Sequence, residues 1–346
     1  MSRERRRLAP AEVVSAAWTS ALYGGSGRAT SGPPYIRDAS NVRRLFNPPA
    51  VAAALAMILA VYLFGLKALA VGAVALAVGG ASSLAIAMVR GRELSEGTVL
   101  TLLVYALLLP PGVPLWLVAV GALVVGLARE GLGGLGWTVF HPALVGKGIL
   151  LALFPGIMYG SWLEPFRGGA GGLTQWAPAS TATPPLEAVR YGSELDLTDL
   201  FLGTAPGALG TTSGLLLLVV GAWLLYTRAV DRRIAITTIV TVLLAQALFG
   251  MFFPDYYVGS PIAHLLAGGT LFTALLVATD PVTSPMTPRG KWIYGLAIGV
   301  LVVLLRAYAA LPEAVTFSVL AVNLFVPLLN RWTAPRPFGY TTGETA

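Results

Sequence analysis

The run Ser180-Thr181-Ala182-Thr183-Pro184-Pro185-Leu186 places three hydroxyls within four residues and closes them with two prolines. Proline fixes its own backbone and restricts the residue before it, so the hydroxyls stand on a constrained turn to which chemistry can be attached. An ordinary solvated Ser/Thr turn is the competing reading, because both residues favour turns in any case. A second set is Thr279-Asp280-Pro281-Val282-Thr283-Ser284-Pro285. Its carboxylate, hydroxyls and proline-freed carbonyls are hard oxygen donors, suited to Na⁺, to a proton step or to hydrogen-bonding a polar ligand. Helix termination by Asp-Pro is the plainer alternative there.

Lys147 lies in the apolar run Ala143 to Phe154. A lysine in a span costs about 2.5–3.5 kcal/mol on insertion scales, so it either faces the bundle with a partner or snorkels to the edge. His141, His264, Gln246 and Asn323 are polar residues in or beside apolar segments, where they relay protons or bridge helices. Asp280, Lys147, His141 and Asn323 are therefore the candidates for an ion path. With two histidines and no cysteine in the chain, a zinc site, a thiolate-held cluster and a cysteine nucleophile find no support. Gly131-Leu132-Gly133-Gly134-Leu135-Gly136 matches G-x-G-x-x-G literally. It joins two apolar segments rather than a strand and a helix, so it reads as a glycine-rich bend and not as a nucleotide site.

The elements that must position these residues are membrane helices. Of 346 residues, 56% are hydrophobic and 11% charged, less than half the charged share of an ordinary soluble domain. About ten spans are expected, at 48–66, 68–89, 97–109, 113–128, 139–154, 213–230, 233–253, 260–279, 292–310 and 313–330. The third stops at Pro110-Pro111 and the fifth starts at His141-Pro142. Both fall short of the roughly 20 residues that cross a bilayer, the mark of broken helices at a midplane site. The domains so defined are a basic arm (1–46), a first membrane half (47–154), a polar loop (155–212), a second half (213–330) and a tail (331–346).

Lys and Arg set the expected orientation. The arm's arginines, Arg90, Arg92, Arg129, Arg228, Arg232, Arg233, Arg289, Lys291, Arg331 and Arg336 fall on one side, and only Lys67, Arg167, Arg190 and Arg306 on the other. The positive-inside rule puts both termini in the cytoplasm and the 155–212 loop outside a plasma (inner) membrane. The basic residues sit at span ends, so no nucleic-acid partner is expected. Five spans per half require that a duplicated half sit inverted relative to its twin. Pro110 and Pro114 after one apolar run, and Pro281 and Pro285 after another, are matching punctuation.

Four stretches together resemble the RnfD/NqrB family, the membrane flavoprotein subunits of the Rnf complex and of the Na⁺-translocating NADH:quinone oxidoreductase. Phe140-His141-Pro142-Ala143-Leu144-Val145-Gly146 is similar to the family's F-N-P-A-L-x-G. Ala278-Thr279-Asp280-Pro281-Val282-Thr283-Ser284-Pro285 resembles its A-T-D-P-V-T-S-P. Val322-Asn323-Leu324 with Val326-Pro327 resembles its M-N-L-x-V-P, and Ser180-Thr181-Ala182-Thr183-Pro184 its S-G-A-T-P. The resemblance runs from about residue 33 to 330. It implies an all-α polytopic membrane protein of two inverted five-helix halves, similar to urea transporters. It implies FMN carried covalently by Thr183 through a phosphoester, with Ser180 and Thr181 in the attachment motif and a flavin transferase as partner. It implies electron transfer within a complex of further membrane and peripheral subunits that couples redox to Na⁺ or H⁺ movement, in a lipid membrane. Asp280, Thr283 and Ser284 are candidates for lining a second, non-covalent flavin or an ion path. Two departures stand out: Thr181 replaces the motif glycine and His141 an asparagine. A glycine permits backbone conformations that a β-branched residue resists. The alternative reading is a urea-transporter-like channel or transporter without redox function.

Overall fold

The computed structural model describes residues 42–131, 138–167, 171–190, 196–253, 260–308 and 313–335. The arm before Val42, most of the glycine-rich bend and the last part of the tail lie outside them. The described residues are helical apart from turns and one isolated bridge, Leu163 with Thr181. The helices are α1 (Val42–Phe64), α2 (Leu66–Val89), α3 (Thr98–Leu107), α4 (Leu115–Gly131), α5 (Pro142–Leu153) and α6 (Pro155–Gly160). They continue with α7 (Pro185–Arg190), α8 (Leu197–Leu202), α9 (Gly214–Tyr226), α10 (Arg232–Phe252), α11 (Pro261–Leu266) and α12 (Thr270–Phe272). The last three are α13 (Pro288–Tyr308), α14 (Ala314–Leu324) and α15 (Val326–Trp332).

Four of these, α1 from Leu45, α2, α10 and α13, are long and apolar enough to cross a bilayer, and α14 with α15 adds a fifth if that bent pair is one span. Helices α3, α5 and α9 are apolar but shorter. Ile58, Leu69, Val219, Leu244 and Leu248 are exposed. Apolar side chains all round a long helix place it in lipid, so this is an all-α membrane protein.

Two segments expected as single spans are broken. The 260–279 stretch divides into α11 and α12 and then a widened turn over Thr273–Val277. The 313–330 stretch bends by 48° between α14 and α15. Pro327 explains the second break: it has no N–H and disfavours helix at the residue before it.

Helices α2 and α4 run parallel. Near the start of the pair the Lys67 ammonium donates to Gly112 O at 2.7 Å, and near its end the Arg90 guanidinium donates to Glu130 O at 3.0 Å. Between these points an added Cβ at Gly126 would stand 1.9 Å from Ser82 Oγ and 2.9 Å from Gly79 O, too close for a side chain. Helices α10 and α13 repeat the arrangement. Lys291 pairs with Asp231 at the start, Phe249 meets Tyr308 at the end with ring centroids 5.8 Å apart, and Gly299 packs on Thr241 between them. Two parallel helices in one chain require the segment between them to return along their whole length. Helix α3 makes that return once, and the broken α11–α12 stretch makes it again.

The returning segments also share a device. Helix α3 begins after Gly97 (φ 81°) and α12 after Gly269 (φ 71°). A buried arginine from the last turns of the following long helix holds each start. Arg129 donates to Thr98 Oγ1 (3.2 Å), Thr101 Oγ1 (2.6 Å) and Glu96 O (2.5 Å). Arg306 donates to Thr270 Oγ1 (2.6 Å) and to His264 O (2.6 Å). Both guanidinium groups satisfy backbone carbonyls that a broken helix leaves without partners.

At the start of α10, Asp231 accepts from its own Arg233 N–H (2.9 Å) and from Lys291 (2.6 Å). Burial alone would raise this carboxyl, but the Lys291 hydrogen bond, the Arg233 N–H and both positive charges outweigh it and hold it below the ordinary carboxylate range. A depressed folded-state pKa stabilises above the unfolded value, about 3.9, and that stability is lost as pH falls through the folded pKa. The thermal-stability gap between wild type and Asp231→Asn should therefore stay constant above about pH 5 and close below about pH 4. Melting curves across that range check it; a gap that widens on acidification overturns it.

Candidate functional site

The polar segment is strapped to the membrane core. Gly112 N donates to Ser161 O (2.8 Å), Phe166 N to Leu63 O (2.8 Å), Leu66 N to Gln175 O (2.9 Å) and Lys67 N to Trp176 O (2.7 Å). The α1–α2 corner at Gly65 makes this possible. Its φ of 84° is left-handed, and an added Cβ would stand 2.6 Å from Gln175 O. Gly65→Ala should cost upward of about 1–2 kcal/mol from backbone conformation alone. Limited proteolysis should then cut residues 161–182 faster than in wild type; unchanged cleavage would refute the strap.

The strap ends in a short antiparallel pairing. Glu164 N donates to Ser180 O (3.2 Å) and Ala182 N to Trp162 O (3.0 Å), and Ser180 Oγ donates to Glu164 Oε2 (3.2 Å). Thr181 sits in the bridge opposite Leu163 and is not among the residues with positive φ. The position asks for extended backbone, which a β-branched residue favours. Thr183 follows, exposed, between the paired strand and α7. Pro184 and Pro185 behind it are buried.

Those two prolines line a cavity of about 30 Å³ together with Trp162, Lys147, Glu313 and Thr212. That is room for a water or two. Trp162 is 6% exposed and its Nε1–H has no acceptor among the described residues. Lys147 is buried, and its ammonium lies 2.6 Å from Glu313 Oε2, with side chains 3% and 9% exposed. Thr316 Oγ1 donates to the same carboxylate at 3.4 Å. Lys147 thus faces the bundle with a partner rather than snorkelling. Its place in an apolar run demanded a partner without naming one. The signal available was scarcity: Glu313 is the one carboxylate between Asp280 and Glu344, and it stands at the head of an apolar run.

The other candidates lie elsewhere. Asp280 is half-buried and accepts from Thr283 Oγ1 at 3.1 Å; Thr283 and Ser284 are buried, and Ser284 N donates to Asp280 O at 3.1 Å. His141 is buried before α5, in electrostatic reach of Asp280 and Arg129, and its Nδ1 has no partner among the described residues. Asn323 is fully buried. Its Oδ1 accepts from the Tyr294 hydroxyl at 2.5 Å, while its Nδ2 has no partner among the described residues. Tyr294 in turn is in reach of Asp280. His141, Asp280 and Asn323 therefore belong to one polar neighbourhood, with Arg129 and Tyr294 as members that the sequence reading missed. Lys147 is apart from it, six residues or about 9 Å along α5 from His141.

The fold and these clusters define a helical membrane protein with an exposed hydroxyl on a braced loop and a buried polar neighbourhood where broken helices meet. Comparison with known proteins gives the family. The model of the NQR2, RnfD, RnfE family matches residues 29–339, and the chain belongs to that family. It is 31% identical over 323 residues to a subunit of the proton-translocating ferredoxin:NAD(+) oxidoreductase complex of Clostridium ljungdahlii, covering 89% of this chain and 95% of the relative. It is 35% identical over 264 residues to a subunit of the Na(+)-translocating NADH-quinone reductase of Klebsiella pneumoniae, covering 73% of this chain and 63% of that longer relative. It is 32% identical over 279 residues to a subunit of the ion-translocating oxidoreductase complex of Escherichia coli, covering 72% of this chain and 79% of the relative.

Proposed function

We propose that this chain is the electron-carrying membrane subunit of an ion-translocating oxidoreductase complex of the Rnf/Nqr type, with FMN carried on the Thr183 oxygen. Flavin, when bound, supplies the redox chemistry, and the protein supplies attachment, orientation and electrostatics. The observation that carries the reading is the setting of Thr183. Its side chain is exposed to an incoming transferase, while the residues before it are paired to Trp162–Glu164 and the prolines after it are buried. The donor set also suits the group. Ser180 and Thr181 present exposed hydroxyls in the residues just before Thr183. The neighbouring cavity is too small to bury an isoalloxazine ring, so the ring would lie over the loop surface, against a neighbouring protein of the complex.

A second, non-covalent flavin fits the Asp280 neighbourhood, where Thr283 and Ser284 shape the turn. His141 Nδ1 and Asn323 Nδ2, both buried and without a partner among the described residues, are what a ring with carbonyls and nitrogens at its edge would use. The same residues serve an ion path in the competing assignment. The fold reading is two inverted five-helix halves of the urea-transporter type in the plasma (inner) membrane, with the loop outside and both termini inside. The parallel pairs α2/α4 and α10/α13, each with a returning segment held by a buried arginine, support it. A channel without redox function would want an open path between halves; a cavity of about 30 Å³ beside Lys147 and Glu313 does not favour one.

The deciding experiment is in-gel flavin fluorescence with intact mass on protein made together with its own flavin transferase. A fluorescent band with a mass increment of one FMN, absent in Thr183→Ala, supports the reading. A dark band at unmodified mass, with the transferase active on another target, refutes it.

A further inference from the structure

A polar cavity lies at the edge of the Asp280 neighbourhood, with Thr279, Pro281, Ser284 and Pro285 in its wall. It holds about 600 Å³ where the α9–α10 turn meets the stretch leading into α13. Arg228, Arg232, Arg233 and Lys291 line it, with Asp231 as the one acid. Asp231 is taken by Lys291 at 2.6 Å. Among the described residues no carboxylate lies within ion-pair distance of the other three guanidinium groups. Arg228 is also the one non-glycine residue among them with a positive φ, 56°. Such a backbone costs an L residue energy, and here it carries a cation to the cavity wall.

The surroundings place the cavity at a membrane edge. Arg232 opens α10 and Lys291 is in the first turn of α13, both long enough to span. Tyr226, two residues before Arg228, Trp292, next to Lys291, and Trp332, at the end of α15, are exposed. The hydrogen bond from Met286 N to Asn330 Oδ1 (2.9 Å) brings the end of α15 to the same edge. Exposed tyrosine and tryptophan at one level mark the headgroup region. Leu45 and Leu225 give the cavity an apolar wall on the bilayer side.

We propose that this cavity binds the phosphate of an anionic phospholipid, with its acyl chains descending past Leu45 and Leu225. Three guanidinium groups without an acceptor among the described residues suit a phosphate ester, for which arginine offers bidentate donors. The apolar wall and the aromatic ring favour a lipid over a free anion. The cavity borders the proposed second-flavin position at Ser284, and the lipid assignment does not depend on a flavin being there.

The test is native mass spectrometry of the full chain in detergent, titrated with phosphatidylglycerol and phosphatidylcholine together. Wild type should retain phosphatidylglycerol preferentially. Each arginine removed should lower that preference about fivefold. Arg228→Gly is the cleanest variant, because glycine accepts the left-handed backbone and folding is spared. Arg232→Gln/Arg233→Gln should lower the preference further, and Arg167→Gln, a basic residue of the polar loop, should leave it unchanged. Equal retention of the two lipids by wild type, or full preference in both Arg228→Gly and the double variant, overturns the site. Displacement of phosphatidylglycerol by an equal concentration of inorganic phosphate would assign the site to a free anion and overturn the lipid.

Discussion

Thr183→Ala should abolish covalent flavin while leaving the protein folded and in the membrane. The side chain is exposed and its removal opens no cavity, and surface substitutions of this kind usually change stability by within about 0.5 kcal/mol. The loss should be complete rather than graded, because the phosphoester needs this one oxygen. Thr183→Ser separates attachment from shape, since it keeps the hydroxyl and loses a methyl. Thr181→Ala is the companion variant: the extended backbone at Thr181 makes no use of its hydroxyl, so flavin should persist there. Fluorescence and intact mass of the three proteins, with melting curves to exclude misfolding, read the outcome directly. Covalent flavin retained in Thr183→Ala would move the attachment to another hydroxyl, and its absence from wild type would remove it altogether.

Breaking the Lys147–Glu313 pair should have the largest effect on stability. Both side chains are buried, and removing one leaves the other charged in a medium that cannot solvate it. Such losses run to about 3–5 kcal/mol. Glu313→Gln and Lys147→Met should each destabilise by about that amount. The double variant Lys147→Met/Glu313→Gln should recover much of the loss, because the uncompensated charge is gone. Chemical denaturation of the four proteins forms a double-mutant cycle. A coupling near zero, with each single variant within about 0.5 kcal/mol of wild type, would show that water or lipid headgroups reach the pair. The pair also ties α5 to the head of α14. Loosening it should therefore be felt at the cavity under Pro184 and Pro185, and with it at the support of Thr183.

Composition and span-end arginines were enough to make this a helical membrane protein, because the bilayer admits few alternatives for a chain so poor in charge. Local motif chemistry singled out the Ser180–Pro185 turn and Asp280 in the same way, since proline and hydroxyl act on their own backbone within a few residues; Thr183 in particular came from the resemblance of that turn to the family's S-G-A-T-P. The demand that Lys147 have a partner was also legible, since burial of a charge is costly wherever it occurs. Which carboxylate answers that demand was not, because Glu313 is 166 residues away and only packing brings α5 against α14. Arg129 and Arg306 read in sequence as ordinary span-end cations; tertiary structure turned them inward to hold the starts of α3 and α12. Likewise the motif position at Thr181 reads as a loss of glycine's freedom, while the pairing with Leu163 makes it an extended site where threonine is at ease. Side-chain type and local spacing set what each residue needs, and only the packing of distant segments decides what meets that need.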